Sequence, residues 1–381
     1  MSLIEKYWQM LSRRCAHHYF LSWGWMSTWL ETLPAENNVR LIVGFIDEEP
    51  MVAFFMGTAK RRKYGIFSSR IVSLNTTGMP YFDKLYLEYN SVLADPSIPL
   101  DSDLLFRSID NMVWDEVHLP GLSLQFMDKL RNLLDRDGAN FFALIDEQSS
   151  AAYVDLDAVR AAEMDYLSFL SSNRRSQIRR SIKEYEKDGV IDIVEAGTLQ
   201  EAQDFFDGLV GLHQKEWTER GGAGAFSNEY LFEFHKKLIA SRFSEGEIQM
   251  LRISTPKQVL GYLYNFLYNG RVYFYQSGFN YLPGNLYRPG LVSHYCSILH
   301  NARSGNSVYD FLAGDADYKS SLATGLDDMY WIRVFRRPVR YHVEKQVRSL
   351  KDRIKSVSWL SKNLKKIRNN ILTDRLKKPA N

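Results

Sequence analysis

Three strand-like runs in succession, EIQMLRIST, QVLGYLYNFLY and RVYFYQSGFN, lead directly into the helix entry LYRPGLVSHYC, and no other stretch limits the fold as tightly. The first connection passes through Pro256. The second is Asn269-Gly270, whose residues accept the left-handed angles of a tight hairpin, so the runs read as an antiparallel meander. A helix then opens at Pro289 or Gly290, and the strand SVYDFL, the polar loop GDADYKSSLATGLDD and a last strand MYWIRVF follow.

The stretch before this meander is helical. Ser171 or Ser172 caps a helix through SNRRSQIRRSIKEYEKDG that ends at Gly189, IDIVEAG is a strand, and Thr198 with Glu201 forms a capping box opening TLQEAQDFFDGLVGLHQKEWTER. The first half reads as strand, turn and strand (VRLIVGFID, EEP, MVAFFMGTA), then RIVSLN, TTGMPYFDKLYLEYN, a helical stretch near LDSDLLFRSIDNMV, the strand WDEVHLPG, a helix SLQFMDKLRNLLDRDG closed by Gly138, and the strand FFALID. Strands mixed with helices and no tandem repeat imply an α/β (α+β) layer fold. A length of 381 residues suits two domains, here 1–155 and 156–338.

A tail, 339–381, completes the chain. From Arg333 onward 16 Lys and Arg face 3 acids, so this end carries +13 and the remainder about −10 of the net +3. Val343, Val347, Leu350, Ile354, Val357, Leu364, Ile367 and Ile371 recur at alternating three and four spacing among basic residues, which describes an amphipathic helix. Such a helix docks on its own protein or another chain, or meets an anionic membrane or RNA phosphates; nothing points to DNA.

Several classes fall away. No apolar run reaches membrane-spanning length and the start lacks the order of a secretory signal, so the expectation is a cytoplasmic protein, associated with membrane at most peripherally. Cys15 and Cys296 stand alone without ligand-spaced neighbours, which supports neither a disulfide framework nor a metal site, although counting leaves one bridge open. Walker A, GxSxG, HExxH and strand-linked GxGxxG motifs are all missing.

Chemistry gathers at two points. The helix entry at Arg288, Pro289, Gly290 and Leu291 offers unpaired amides and a positive dipole end, a natural pyrophosphate site, though Pro-Gly at a helix start is also an ordinary cap. The run DFLAGDADYK groups Asp310, Tyr318 and Lys319 at a strand's end.

A meander running into a helix N-terminus, with a further strand ending beside it, resembles the GNAT acyltransferase fold. More narrowly, NRRSQIRRSIKEYEKDG, LHQKEWTERGGAGAF, the PG helix entry and YDFLAGDADYK are similar to the CelD-like acetyltransferases, relatives of the Fem-type aminoacyl transferases. The likeness covers roughly 165–335; FLSWGWMSTWLETL and LNTTGMPYFDKLYLEYN resemble, more loosely, the degenerate first lobe of that group. LYRPGL replaces the glycine-rich GNAT signature. The resemblance implies tandem GNAT-like lobes, each a mixed, mostly antiparallel sheet flanked by helices. It also implies acetyl-CoA or another acyl-CoA as co-substrate, no metal, and a small-molecule or sugar amine acceptor in envelope or polysaccharide metabolism.

Roles follow from the chemistry of acyl transfer, which needs a deprotonated amine, a stabilised oxyanion and an acid for the thiolate. Tyr318 would protonate sulfur, Lys319 would stabilise negative charge, as the Fem-type resemblance implies, and Asp310 would orient one of them or receive a proton; the plain alternative is an Asp310–Lys319 ion pair shaping the loop. Glu216 is a candidate base in a lid walled by Trp217 and Phe226, where the glycines also fit a simple helix exit. The pantetheine arm would pair with the backbone at Tyr275, Gln276 and Ser277. His294 lies one turn inside the phosphate-binding helix, whereas His213 sits on an apolar stripe as a core residue would. Arg175 and Arg179 share a helix face that would grip an anionic acceptor or simply be solvated. The alternatives are a Fem-type enzyme drawing on aminoacyl-tRNA and a non-catalytic binding protein.

Overall fold

The computed structural model describes residues 2–64, 67–98, 102–134, 141–350 and 353. In chain order the elements are α1 Leu3–Ser12, α2 Trp23–Thr32, β1 Asn38–Ile46, β2 Glu49–Lys63, β3 Phe67–Leu74, β4 Leu93–Ala94, α3 Ser102–Ser108, β5 Glu116–Ser123, α4 Leu124–Leu134 and β6 Phe142–Asp155. Then come α5 Leu156–Ala161, α6 Ser172–Tyr185, β7 Asp192–Glu195, α7 Leu199–Glu219, α8 Glu229–Arg242, β8 Ile248–Ser254, β9 Val259–Tyr268, β10 Arg271–Phe279, α9 Pro289–Arg303, β11 Val308–Ala313, α10 Asp317–Leu322 and β12 Gly325–Phe335.

Local chemistry explains the boundaries. Ser171 caps α6 by accepting from the Arg174 amide, Thr198 and Glu201 close both arms of a capping box on α7, and Asn269 and Gly270 take φ of 49° and 73° between β9 and β10. The first hairpin turns on Asp47 and Glu48, both left-handed, rather than on EEP, because β2 already starts at Glu49. GDADYKSSLATGLDD is not all loop: it contains α10, and β12 begins earlier than MYWIRVF, at Gly325. Gly138 lies outside the described residues.

All twelve strands form one mixed sheet ordered β1-β2-β3-β5-β12-β6-β11-β10-β9-β8-β7, with β4 on β2. Each half repeats one plan: an antiparallel meander (β1-β2-β3 and β8-β9-β10) whose last strand pairs in parallel with the next long strand, β5 or β11. The closing strands are exchanged. β6 follows β5 in the chain yet pairs with β11, β12 follows β11 yet pairs with β5, and the two pair with each other from Phe142 with Phe335 to Tyr153 with Gly325. The boundary expected at residue 155 falls at the end of β6, a strand already embedded in the second half.

Three apolar clusters hold the layers. One lies beneath α3 and α4 in the first half, a second joins α9 to the strands β8–β11, and a third packs α1 and α2 with α7 and α8 around Trp25, Phe206, Phe234 and Phe266. The N-terminal helices therefore cover the second half's meander and tie the halves together. Cys15 and Cys296 are both free thiols.

The chain from 338 to 350 is helical and docks on the body. Glu344 is only 4% exposed and pairs with Lys63 (3.0 Å) and Arg333 (2.7 Å), while Tyr341 stacks on Phe142. Ile354, Val357, Leu364, Ile367 and Ile371 lie outside the described residues. Among the described residues no helix is long and apolar enough to cross a membrane.

Candidate active site

β10 and β11 pair only from Arg271–Val308 to Tyr273–Asp310 and then diverge. Two irregularities shape this splay: Tyr275 is an extra residue in the pairing of β10 with β9, and Leu312 adopts φ of 61° where β11 slips against β6. Asp310 fixes the second one. Its Oδ1 accepts the Leu312 amide (2.7 Å), and its Oδ2 accepts from Arg271 Nε (2.9 Å) and Tyr89 Oη (2.6 Å). A non-glycine residue in the left-handed region costs free energy, and the carboxylate supplies the compensating bond.

On the α9 side of the splay lies a cavity of about 590 Å³. Arg288 caps α9, with its own amide donating to Ser181 Oγ (3.0 Å), and Pro289 occupies the first helical position. The amides of Gly290 and Leu291 come next, in the turn where a helix has no acceptor of its own, and both residues line the cavity. Arg174, Arg220 and Arg288 line it too. Burial and the neighbouring Arg288 push the Arg174 guanidinium below its ordinary value, the mark of cations gathered without enough counter-charge. Free amides and clustered guanidiniums fit a pyrophosphate.

At the other end of this cavity Tyr318 stacks on His294, with ring centroids 5.5 Å apart. His294 is fully buried: Nδ1 meets Tyr309 Oη at 3.3 Å, Nε2 has no partner among the described residues, and burial with nearby Lys319 holds the ring down to about 3 and therefore neutral. Burial pushes the Tyr318 phenol up, so it keeps its proton. Lys319, the next residue along α10, is not in the lining of this cavity; its Nζ donates to the carbonyls of Ala313 (2.6 Å) and Leu312 (3.2 Å). Desolvation lowers its affinity for a proton while Glu88, Asp310 and Asp315 raise it.

The structure thus brings together Glu216, Trp217, Gln276, Ser277, Arg288, Gly290, Leu291, His294 and Tyr318 around one cavity, with Pro289 opening the helix beside it. Others fall elsewhere. Asp310 is wholly buried and paired with Arg271, so neither an orienting contact to Tyr318 or Lys319 nor an Asp310–Lys319 ion pair is made. The Tyr275 ring is outside the lining and its Oη donates to Leu85 O (3.1 Å), which leaves the expected role of its backbone untouched. Phe226 is 7% exposed and packs on Phe206 and His213 as core rather than wall. Arg175 and Arg179 are not in the lining; Arg174, one position before the expected pair, takes that place. Glu216 is engaged by Arg220 and Tyr281, and burial raises its proton affinity.

Sequence reasoning also missed Phe279, Tyr281, Asn285 and Tyr287, which sit around the approach to α9 without a motif of their own. His213 proves to line the cavity as well as the core. Its Nε2 accepts from the Ala225 amide (3.3 Å) and Nδ1 is left to donate to Ser277 O (3.2 Å), clamping the glycine-rich segment to β10. Gly278 lets α7 lie against β10 there, for a Cβ would strike the Leu209 carbonyl.

Residues 172–320 match the family model described as an acetyltransferase (GNAT) domain. This segment is a GNAT acetyltransferase domain. Every residue lining the basic cavity falls inside it, from Arg174 to Tyr318. Among solved structures FemX is similar over 86% of this chain and 96% of its own, with a TM-score of 0.55 at 10% identity. A conserved protein of unknown function from Bacteroides thetaiotaomicron aligns over 87% and 96%, with a TM-score of 0.53 at 9% identity. Likeness at such identities speaks for the fold, and it extends past the GNAT domain across both halves of the sheet. No curated protein matches the sequence.

Proposed function

We propose that this protein is a cytoplasmic N-acyltransferase that moves an acetyl or other acyl group from acyl-CoA to an amine acceptor, an amino sugar or an envelope polysaccharide precursor being the class in view. One observation carries the reading: the unpaired amides of Gly290 and Leu291 open, with Arg174, Arg220 and Arg288, into the same cavity that ends at Tyr318.

The co-substrate supplies an activated thioester carbonyl. Gly290, Leu291 and the arginines hold the pyrophosphate, and the backbone of Gln276 and Ser277, freed where β10 leaves β11, is available to pair with the pantetheine amides. Tyr318, which retains its proton, is placed to give it to the leaving sulfur. Lys319 presents a third N–H, beyond the two used on Leu312 and Ala313, for the carbonyl oxygen as charge develops.

Calorimetric titration with acetyl-CoA tests this reading. Binding in the micromolar range, lost in Arg288→Ala, is the expected result. Absence of binding at millimolar acetyl-CoA overturns it, and salt-sensitive binding of tRNA in its place would select an aminoacyl-tRNA donor.

A further inference from the structure

A second cavity, of about 510 Å³, lies where the first half meets the splay. Only Ala313 and Gly314 of its lining belong to the GNAT domain; the remainder comes from β2, β3, β5, β6, β12 and the segment before β4. Its charge is opposite to that of the first. Asp83, Glu88 and Glu147 face it with Arg61 and His118. Trp331 and Tyr86 add two ring faces.

Glu88 stands out within it. The residue is 7% exposed, its Oε2 accepts the Ala313 amide (2.7 Å), and Oε1 has no hydrogen-bond partner among the described residues. Glu88 lines the cavity, so this second oxygen is open to a donor that a ligand supplies. Glu88 is also close enough to Lys319 for each to alter the other's proton affinity. Lys319 in turn lies near His294 of the first cavity. Ala313, Gly314 and the lysine are therefore where a basic cavity and an acidic one approach each other.

We infer that this second cavity is the acceptor site, that it takes a primary amine carried as a cation on a polar body, and that Glu88 receives the proton this amine must lose. The inference rests on the acyl-CoA reading given above. Glu147 lies near Glu88 at the amine end, and Arg61 lies near Asp83, a place for an acidic or hydroxylated part of the acceptor. The ammonium gives one proton to Glu88 and becomes a neutral amine. Its nitrogen then forms the new bond to the acyl carbon as the carbon–sulfur bond breaks, and the thiolate takes a proton from Tyr318, which recovers one from the acylated nitrogen. Glu88 returns its proton to solvent. Burial raises the Glu88 carboxyl to about 8, against the pull of Lys319 and the Ala313 amide and with the push of Asp310 and Glu147, while Asp83, His118 and the Tyr86 and Tyr275 phenols are further titratable groups nearby. A base of that strength can take a proton from an alkylammonium.

Two small nucleophiles that enter regardless of the natural acceptor's shape make the test: ethylamine, a cation at neutral pH, and hydroxylamine, already neutral there. Release of free CoA from acetyl-CoA is followed with each. In the wild type both should exceed the rate in water, and the ethylamine rate should climb with pH up to about 8. Glu88→Gln should cut the ethylamine rate by about 100-fold while the hydroxylamine rate falls less than about threefold, since only the first substrate needs the base. Glu147→Gln, at an exposed position that tolerates change, should raise the ethylamine KM by about twofold to fivefold with kcat kept. Equal losses on both nucleophiles, no loss on either, or no ethylamine-driven release by a wild type that binds acetyl-CoA overturns the assignment of this cavity alone. A wild type that fails to bind acetyl-CoA overturns both readings.

Discussion

The two halves build the same device and use it differently. In each, the last strand of a meander runs parallel to its neighbour for three residue pairs, Ile71–Ser73 with Glu116–His118 in the first half and Arg271–Tyr273 with Val308–Asp310 in the second, and then the strands part. The first gap is filled by the chain itself. Asn90 bridges it, with Nδ2 donating to Leu74 O (3.1 Å) on one side and Pro120 O (2.9 Å) on the other, and its backbone amide to Gly121 O (2.8 Å); Asn75 locks it from below through a bond to Asn90 Oδ1 (2.8 Å). The second gap has no such insert among the described residues. Diverging strands leave backbone groups that need partners, so each splay must receive amide-like donors and acceptors from somewhere. One half supplies them internally and becomes scaffold; on the acyl-CoA reading proposed above, the other receives them from pantetheine, itself an amide-bearing chain.

The inserted segment is not inert, because its other residues reach across. Tyr89 donates to Asp310 and stacks with His18 (3.9 Å between centroids), and Glu88 takes the Ala313 amide. What plugs one splay thereby shapes the rim of the other.

If the second splay is the reactive one, its lysine carries the largest effect. Lys319→Met should lower acetyl transfer about 100-fold to 1,000-fold with acetyl-CoA affinity held within about threefold, as removal of an oxyanion donor does. Steady-state kinetics beside a binding titration checks this, and unchanged turnover would reduce Lys319 to a brace for the Leu312 and Ala313 carbonyls. Next in size are changes at the mouth of α9. Arg174→Ala removes a guanidinium from the anion cluster and should weaken acetyl-CoA by about tenfold or more. Gly290→Ala places a methyl 3.2 Å from the Phe279 ring at the helix's open turn, and a loss of similar size is expected in the same titration.

The comparison sharpens when the first gap is emptied. Asn90→Ala removes a donor from the Leu74 and Pro120 carbonyls at a buried position and leaves the Asn75 amide with the Ser91 carbonyl alone. The expected cost is about 1–3 kcal/mol of stability, seen as a lower urea midpoint, while acetyl-CoA affinity stays within about threefold. Equal damage to binding would mean that the two gaps act as one unit.

Much of the second half was legible because its signals are local. The Asn269-Gly270 hairpin, the Thr198–Glu201 box and the Pro289 helix start each depend on a few adjacent residues and hold as read. The site residues that failed did so for long-range reasons. Asp310 shares one short run with Tyr318 but is claimed by Arg271, thirty-nine positions away, and by Tyr89 from the other half. Phe226 faces the core because of a helix packing that no local pattern announces, and the bulge at Tyr275 is equally silent in the sequence. The exchange of β6 and β12 is likewise invisible, since either strand would satisfy the same hydrogen-bonding edge. Glu88 had no motif at all; only the fold places it against Ala313.

The smallest effect is a slope in stability with pH, and its sign follows from Glu88. Burial lifts that carboxyl from its ordinary 4.5 to about 8, so between these values the folded protein holds a proton the unfolded chain has lost, and stability falls as pH rises through the window. His18, His235 and His294, held down to about 3 by burial, act the other way but only below about 6.5, where the unfolded chain gains the protons they refuse. The interval from about 6.5 to about 8 is therefore where Glu88 shows. Lys319, pushed down by the same burial, opposes it, so the slope is best read in Lys319→Met against Lys319→Met/Glu88→Gln. The single variant should lose up to about 1.4 kcal/mol per pH unit relative to the double, a Tm gap growing by about 1–3 °C across the interval. Parallel curves would place Glu88 in ordinary ionised form, already a carboxylate at neutral pH, and would move the proton acceptor of the second cavity to another group.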